Sequence, residues 1–133
     1  MRTFTLVFVL FAAIGISSCK KERQTPSSSI VGQWRWVKSV GGIAGLTLTP
    51  QSTGNNFRDE YYADSTYKRY ENNALVAQGD FSIVKGYRFT PSEIIDVLKF
   101  GPANKSMLIR NDTLYMGDLF INDGFGDTYV RIK

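Results

Sequence analysis

The chain has 133 residues, no histidine, one cysteine, and 16 Lys and Arg against 12 Asp and Glu. A single cysteine excludes a disulfide within the chain, and without histidine neither a zinc site nor His-based acid–base chemistry is expected. The net charge of +4 is a small excess, and Lys20, Lys21 and Arg23 share one short polar stretch, so nucleic-acid binding is not expected.

At the N-terminus, Arg2 precedes an apolar run from Phe4 to Ile16. Spanning hydrocarbon takes about 20 apolar residues, so this run suits the core of a secretory signal better than a transmembrane anchor. Small residues follow it, and then the cysteine. The segment Ile16-Ser17-Ser18-Cys19 resembles the lipobox of a bacterial lipoprotein. That resemblance implies removal of residues 1–18 and acylation of Cys19 by chains such as palmitate. Several chains together hold a protein at a membrane surface far better than one. The expected location is the bacterial cell envelope, at the outer membrane. Residues 19–29, polar and serine-rich with Pro26, read as the lipidated cysteine and a flexible tether. One small domain is expected over 30–133.

That domain reads as all-β. Eight strands are expected, at Gln33–Val40, Phe57–Ala63, Thr66–Glu71, Ala74–Val84, Ile94–Phe100, Ser106–Arg110, Thr113–Ile121 and Thr128–Ile132. Tight turns between neighbours suggest an antiparallel up-and-down meander, which loses its edges by closing into a barrel. A hairpin centred on Asp64-Ser65 would set Glu60 opposite Arg69 and Arg58 opposite Glu71, pairing opposite charges. A second at Asn72-Asn73 would set Tyr70 against Leu75. A third at Asn111-Asp112 would set Ile109 against Leu114 and Met107 against Met116. On this register the buried face carries Phe57, Tyr61, Tyr70, Leu75, Ala77, Phe81 and Ile83. Thr90-Pro91-Ser92-Glu93 has the form of a helix start, with proline first inside the cap. The β-branched residues after it favour a strand, so at most one helical turn is expected there.

Gly32-Gln33-Trp34 opens the first strand, and Gly-x-Trp at that place resembles the opening signature of lipocalins. The match to small bacterial lipocalin-like lipoproteins extends through Gly32–Val37, the glycine loop 41–45, Thr49–Gly54, Asn111–Leu114 and the closing Tyr129-Val130-Arg131-Ile132. The resemblance implies an eight-stranded lipocalin-like barrel in which Gly32, Trp34 and Arg131 are structural, with Trp34 plugging one end and Arg131 stacked on its indole. Nothing helical follows the last strand, which argues against a roomy cavity.

A ligand inside such a barrel would meet Tyr61, Tyr70, Phe81 and Leu75, with 41–54 as a lid over the mouth. Asp59 and Lys68, inward on the same register, would orient its head group or lie at the barrel end in water. The alternative is that these side chains simply fill the core, since eight strands enclose room for side chains or for one small ligand. Asp118, Asn122, Asp123 and Asp127 do not follow the spacing of a calcium loop, and turn chemistry accounts for them. No metal, cofactor or catalytic group is expected. Two functions remain open: carriage of a small apolar or amphipathic ligand, or interaction with an envelope protein through an apolar patch around Leu108, Tyr115 and Leu119.

Overall fold

The computed structural model describes residues 29–133. The lipobox, Cys19 and most of the expected tether lie outside the described residues. The strands are β1 (Gly32–Gly41), β2 (Leu46–Leu48), β3 (Phe57–Tyr61), β4 (Thr66–Glu71), β5 (Ala74–Thr90), β6 (Glu93–Phe100), β7 (Ala103–Arg110), β8 (Thr113–Asp118) and β9 (Phe125–Arg131). Each strand from β3 onwards pairs antiparallel with the next, and β1 pairs with both β3 and β9. Eight strands therefore close into an up-and-down barrel. The short β2 folds back on the second half of β1.

Antiparallel order divides the connections between two ends. One end holds Gly32, the turns at 62–65, 91–92 and 111–112, and the close of β9. The other, the mouth, holds the segment 42–56, the turns at 72–73 and 101–102, and the β8–β9 loop. The helix start realised in the fold is Thr49-Pro50, not Thr90-Pro91. Thr49 caps the one-turn helix α1 (Pro50–Thr53) by accepting from the Ser52 N–H, and proline opens the helix. Pro91 instead sits in a tight turn between β5 and β6, because long-range pairing along both strands overrides the local signal. That pairing also extends β5 to Thr90, six residues beyond its expected end.

Two of the expected hairpins form as read. Tyr70 pairs with Leu75 across Asn72-Asn73, whose φ values of 49° and 69° are those of a type I′ turn. Met107 and Ile109 pair with Met116 and Leu114. The Asp64-Ser65 hairpin is shifted by one residue. Its loop is Ala63–Ser65, closed by the Tyr62 N–H donating to the Thr66 carbonyl at 2.9 Å, with Ser65 at φ 67°. The Asp64 carboxylate accepts from both the amide and the hydroxyl of Thr66, which fixes the longer loop. Asp59, not Glu60, therefore faces Arg69, and Arg58 faces Tyr70.

The core lies along the barrel axis. Trp34, Leu98 and Leu114 are fully buried, and Tyr61, Met116 and Tyr129 nearly so. Phe81 packs edge-on against Tyr61 with ring centroids 5.2 Å apart. Trp34 closes the end opposite the mouth: its indole N–H donates to the Ile30 carbonyl at 2.7 Å, and the Arg131 guanidinium lies 4.1 Å over its ring. Gly32 is required beside this plug. Its φ of 134° suits glycine, and a Cβ there would come within 2.8 Å of the Arg131 guanidinium.

Candidate functional site

The shifted β3–β4 register divides the expected ligand-lining residues. Tyr61, Phe81 and Asp59 point into the barrel, each packed among its other side chains. Lys68 pairs with Glu60 and Gln78 and stands on the outer face, 5.8 Å from the Tyr62 ring. Tyr70 is also on the outer face, beneath the Arg58 guanidinium at 4.4 Å. Leu75 is 49% exposed. Val76 bulges out of the β4–β5 ladder, so Ala77, not Leu75, carries the interior face onwards. The Asp59–Lys68 pair expected inside is thus replaced by Asp59–Arg69.

That pair is bidentate. Arg69 Nε and Nη2 donate to the two Asp59 oxygens at 2.8 and 2.7 Å, and Nη2 also reaches Tyr129 Oη at 3.3 Å. Burial opposes the Arg69 charge, but the Asp59 carboxylate more than offsets it and raises its pKa. Tyr129 is held neutral, burial pushing its phenol well above the ordinary range.

Nearer the mouth a second network joins four strands. The Trp36 indole N–H donates to Ser39 Oγ at 2.9 Å, and Ser39 donates to Asp127. Lys105 Nζ lies 2.5 Å from Asp118 and 3.1 Å from Asp127. The Phe125 N–H completes the coordination of Asp118 at 2.9 Å. Burial works against the Lys105 charge, and the two carboxylates outweigh it and raise the pKa. Burial likewise opposes Asp118, yet Lys105 and the Phe125 N–H hold it below the usual carboxylate range. Asp118 and Asp127 are thus occupied by a lysine. Among the described residues no cluster of carboxylates or thiols is arranged to hold a metal ion.

Above this network lies a mouth recess of about 240 Å³, lined by Trp36, Leu48, Phe57 and Arg69 among others. The segment 41–54 lies over the mouth as β2 and α1, and its Leu48 packs on the core. Below it Trp34, Tyr61, Leu98, Leu114 and Tyr129 pack into one core cluster, and a further recess of about 370 Å³ opens beside Ile30, Phe81 and Ile83.

A larger recess, of about 660 Å³, lies in the wall itself, between β6, β7 and β8. Leu108, Tyr115 and Leu119 all line it, together with Phe89 and Ile94. Leu108 and Tyr115 are cross-strand partners on the outer face, each more than two-fifths exposed. Leu119 is buried instead, because the β8–β9 loop turns back over the wall. It shares a smaller recess with Val97, Val84, Tyr87 and Phe120. Phe120 is 73% exposed, sits at φ 62°, and brings its ring within 5.8 Å of Phe89. A bulky residue in the left-handed region costs of order 1–3 kcal/mol, and such strain concentrates where surfaces are used. Sequence reasoning missed Phe89, Ile94 and Phe120, since only the bend of the β5–β6 hairpin brings them together.

The class of protein defined by this architecture is a closed, antiparallel, eight-stranded up-and-down barrel, compatible with a lipocalin-like fold. No family model, curated protein or solved structure matches the chain.

Proposed function

We propose that this chain is a non-catalytic binding domain of the bacterial cell envelope, tethered through lipid on Cys19, whose barrel is a filled scaffold and whose outer wall engages a protein partner. One contrast carries the reading. Trp34, Tyr61, Leu98 and Leu114 are buried in one packed core, whereas Ile94, Leu108 and Tyr115 stand exposed around a recess of about 660 Å³, larger than the recess at the mouth. Contiguous apolar surface of this kind marks interaction sites. A small ligand held at the mouth is the second reading, supported by the aromatic and guanidinium lining of Trp36, Phe57 and Arg69.

A photo-crosslinking amino acid at Leu108, Phe57 or Glu71 of the full chain in cells tests both. Protein adducts from position 108 and not from 57 or 71 support the outer-wall reading. The ligand reading is separated by native mass spectrometry of the purified chain: extra mass that is lost on unfolding, and lost in Phe57→Ala, would transfer the function to the mouth.

A further inference from the structure

The wall between β6 and β7 is split. Their ladder runs from Phe100–Ala103 to Asp96–Met107 and stops there. Both strands continue: β6 to Glu93, paired only with β5, and β7 to Arg110, paired only with β8. Each strand therefore has three residues with a neighbour on one side alone, as does β5 beyond Asp80, which is laddered only to β6; here the gap lies beside an apolar recess.

The cause is local. β5 bulges at Lys85-Gly86, where Gly86 adopts φ 63°. Asp96, the last β6 residue on the β7 ladder, turns its carboxylate to this bulge. It accepts from Lys85 Nζ at 2.7 Å and from the Gly86 N–H at 3.0 Å. The hairpin beyond this point bends away from β7, and Phe89 near its tip meets Phe120 of the β8–β9 loop. The 660 Å³ recess opens where the strands part. Glu93, Ile94, Ile95 and Asp96 form one lip, and Leu108 and Tyr115 lie on the other side.

An unpaired strand edge beside apolar side chains is a template for another strand. The charge of the lining narrows what fits. It carries Glu93, Asp96 and Asp118 and no Lys or Arg. Lys85 and Lys105 neutralise Asp96 and Asp118, and among the described residues Glu93 has no ion-pair partner. Building on the outer-wall reading above, we infer that the split is a β-augmentation site: an extended segment of a partner protein pairs its backbone with Glu93–Ile95, lays alternate apolar side chains over Leu108 and Tyr115, and sets a Lys or Arg against Glu93.

The probe is a short fluorescein-labelled peptide alternating Val and Thr, with a Lys at one end, titrated against the full chain by anisotropy. Two sister peptides carry N-methyl groups on alternate amides, one on each backbone edge. One sister should bind as the parent does and the other at least about tenfold more weakly, because only one edge faces β6. Leu108→Lys should weaken the parent about tenfold or more. Glu93→Lys should reverse its preference over a peptide with Glu in place of Lys. Hydrogen exchange should slow at the amides of 93–95 and not at those of 66–71. If Leu108→Lys abolishes binding and neither methylated peptide differs from the parent, strand pairing is overturned while the outer-wall reading stands. If no peptide binds, strand pairing is overturned and the crosslinking from Leu108 decides the broader reading alone. If binding survives Leu108→Lys unchanged, both are overturned.

Discussion

Val97 and Leu98 are adjacent in β6, both almost completely buried, and face opposite sides of one wall. Leu98 belongs to the barrel core, while Val97 lies under Leu119 and Phe120 on the outside. A strand in a barrel normally hides one face and wets the other. Here the returning β8–β9 loop gives the wall a second, external apolar cluster. Leu98→Ala should cost about 2–5 kcal/mol through lost transfer energy and a cavity. Val97→Ala should cost about 1–3 kcal/mol, well above an ordinary surface change. Urea unfolding of the two variants measures both, and a neutral Val97→Ala would show the external cluster to be loosely packed.

The Asp59–Arg69 pair offers a sharper contrast. Asp59 is almost fully buried and Arg69 is its charge partner, so removing the guanidinium strands a carboxylate inside the barrel. Arg69→Met should lose about 3 kcal/mol, at the low end for a buried pair because Arg69 keeps some contact with water. Adding Asp59→Leu to it should restore most of that loss, since a well-packed apolar pair is often no worse than a buried ionic one. Equal stability of the single and double variants would contradict this account.

Stability should be flat around neutral pH and fall on both sides. The folded pKa values of Asp118 and Asp96 lie below the ordinary 3.8, so their contribution is present above that value and disappears as the pH drops through the folded value. Lys105 and Tyr129 are raised, so their contribution is present below about pH 10 and is lost as the pH rises beyond it. Urea midpoints from pH 7 down to 3 should fall for the native chain and fall less for Asp118→Asn. A parallel fall in both would remove Asp118 from the explanation.

The lipid anchor has a direct assay. In cells fed an alkyne analogue of palmitate, the native chain should be labelled and sediment with membranes. Cys19→Ala should lose the label and leave the membrane fraction. Labelling that persists in Cys19→Ala would overturn the reading of residues 16–19 as a lipobox.

Much of the fold was legible in the residues because short-range chemistry specifies it. Strand-forming runs alternate with Asn, Asp and Gly turns. Asn72-Asn73 adopts the two positive φ angles that a two-residue hairpin requires. Gly32, Trp34 and Arg131 meet at the closed end, the guanidinium 4.1 Å over the indole. The Asp64 hairpin was misjudged because opposite charges can be matched in two registers. A side chain accepting two hydrogen bonds from Thr66 decides between them. That one-residue difference moved Lys68 outwards, made Arg69 the partner of Asp59, and turned Tyr70 and its partner Leu75 out of the expected interior.

The chain by itself determined an all-β meander, the positions of most turns, the polar chemistry available and the small size of any interior. These follow from backbone preference and from period-two patterning, which act over a few residues. Only the tertiary structure decided which charges meet, where the wall splits and which apolar groups remain outside. Those depend on bulges at Val76 and Lys85-Gly86 and on a loop that brings Phe120 to Phe89. The Phe89–Phe120 contact joins segments far apart in the chain, and each bulge is set by how a whole strand meets its neighbour, not by the preference of the bulged residues alone.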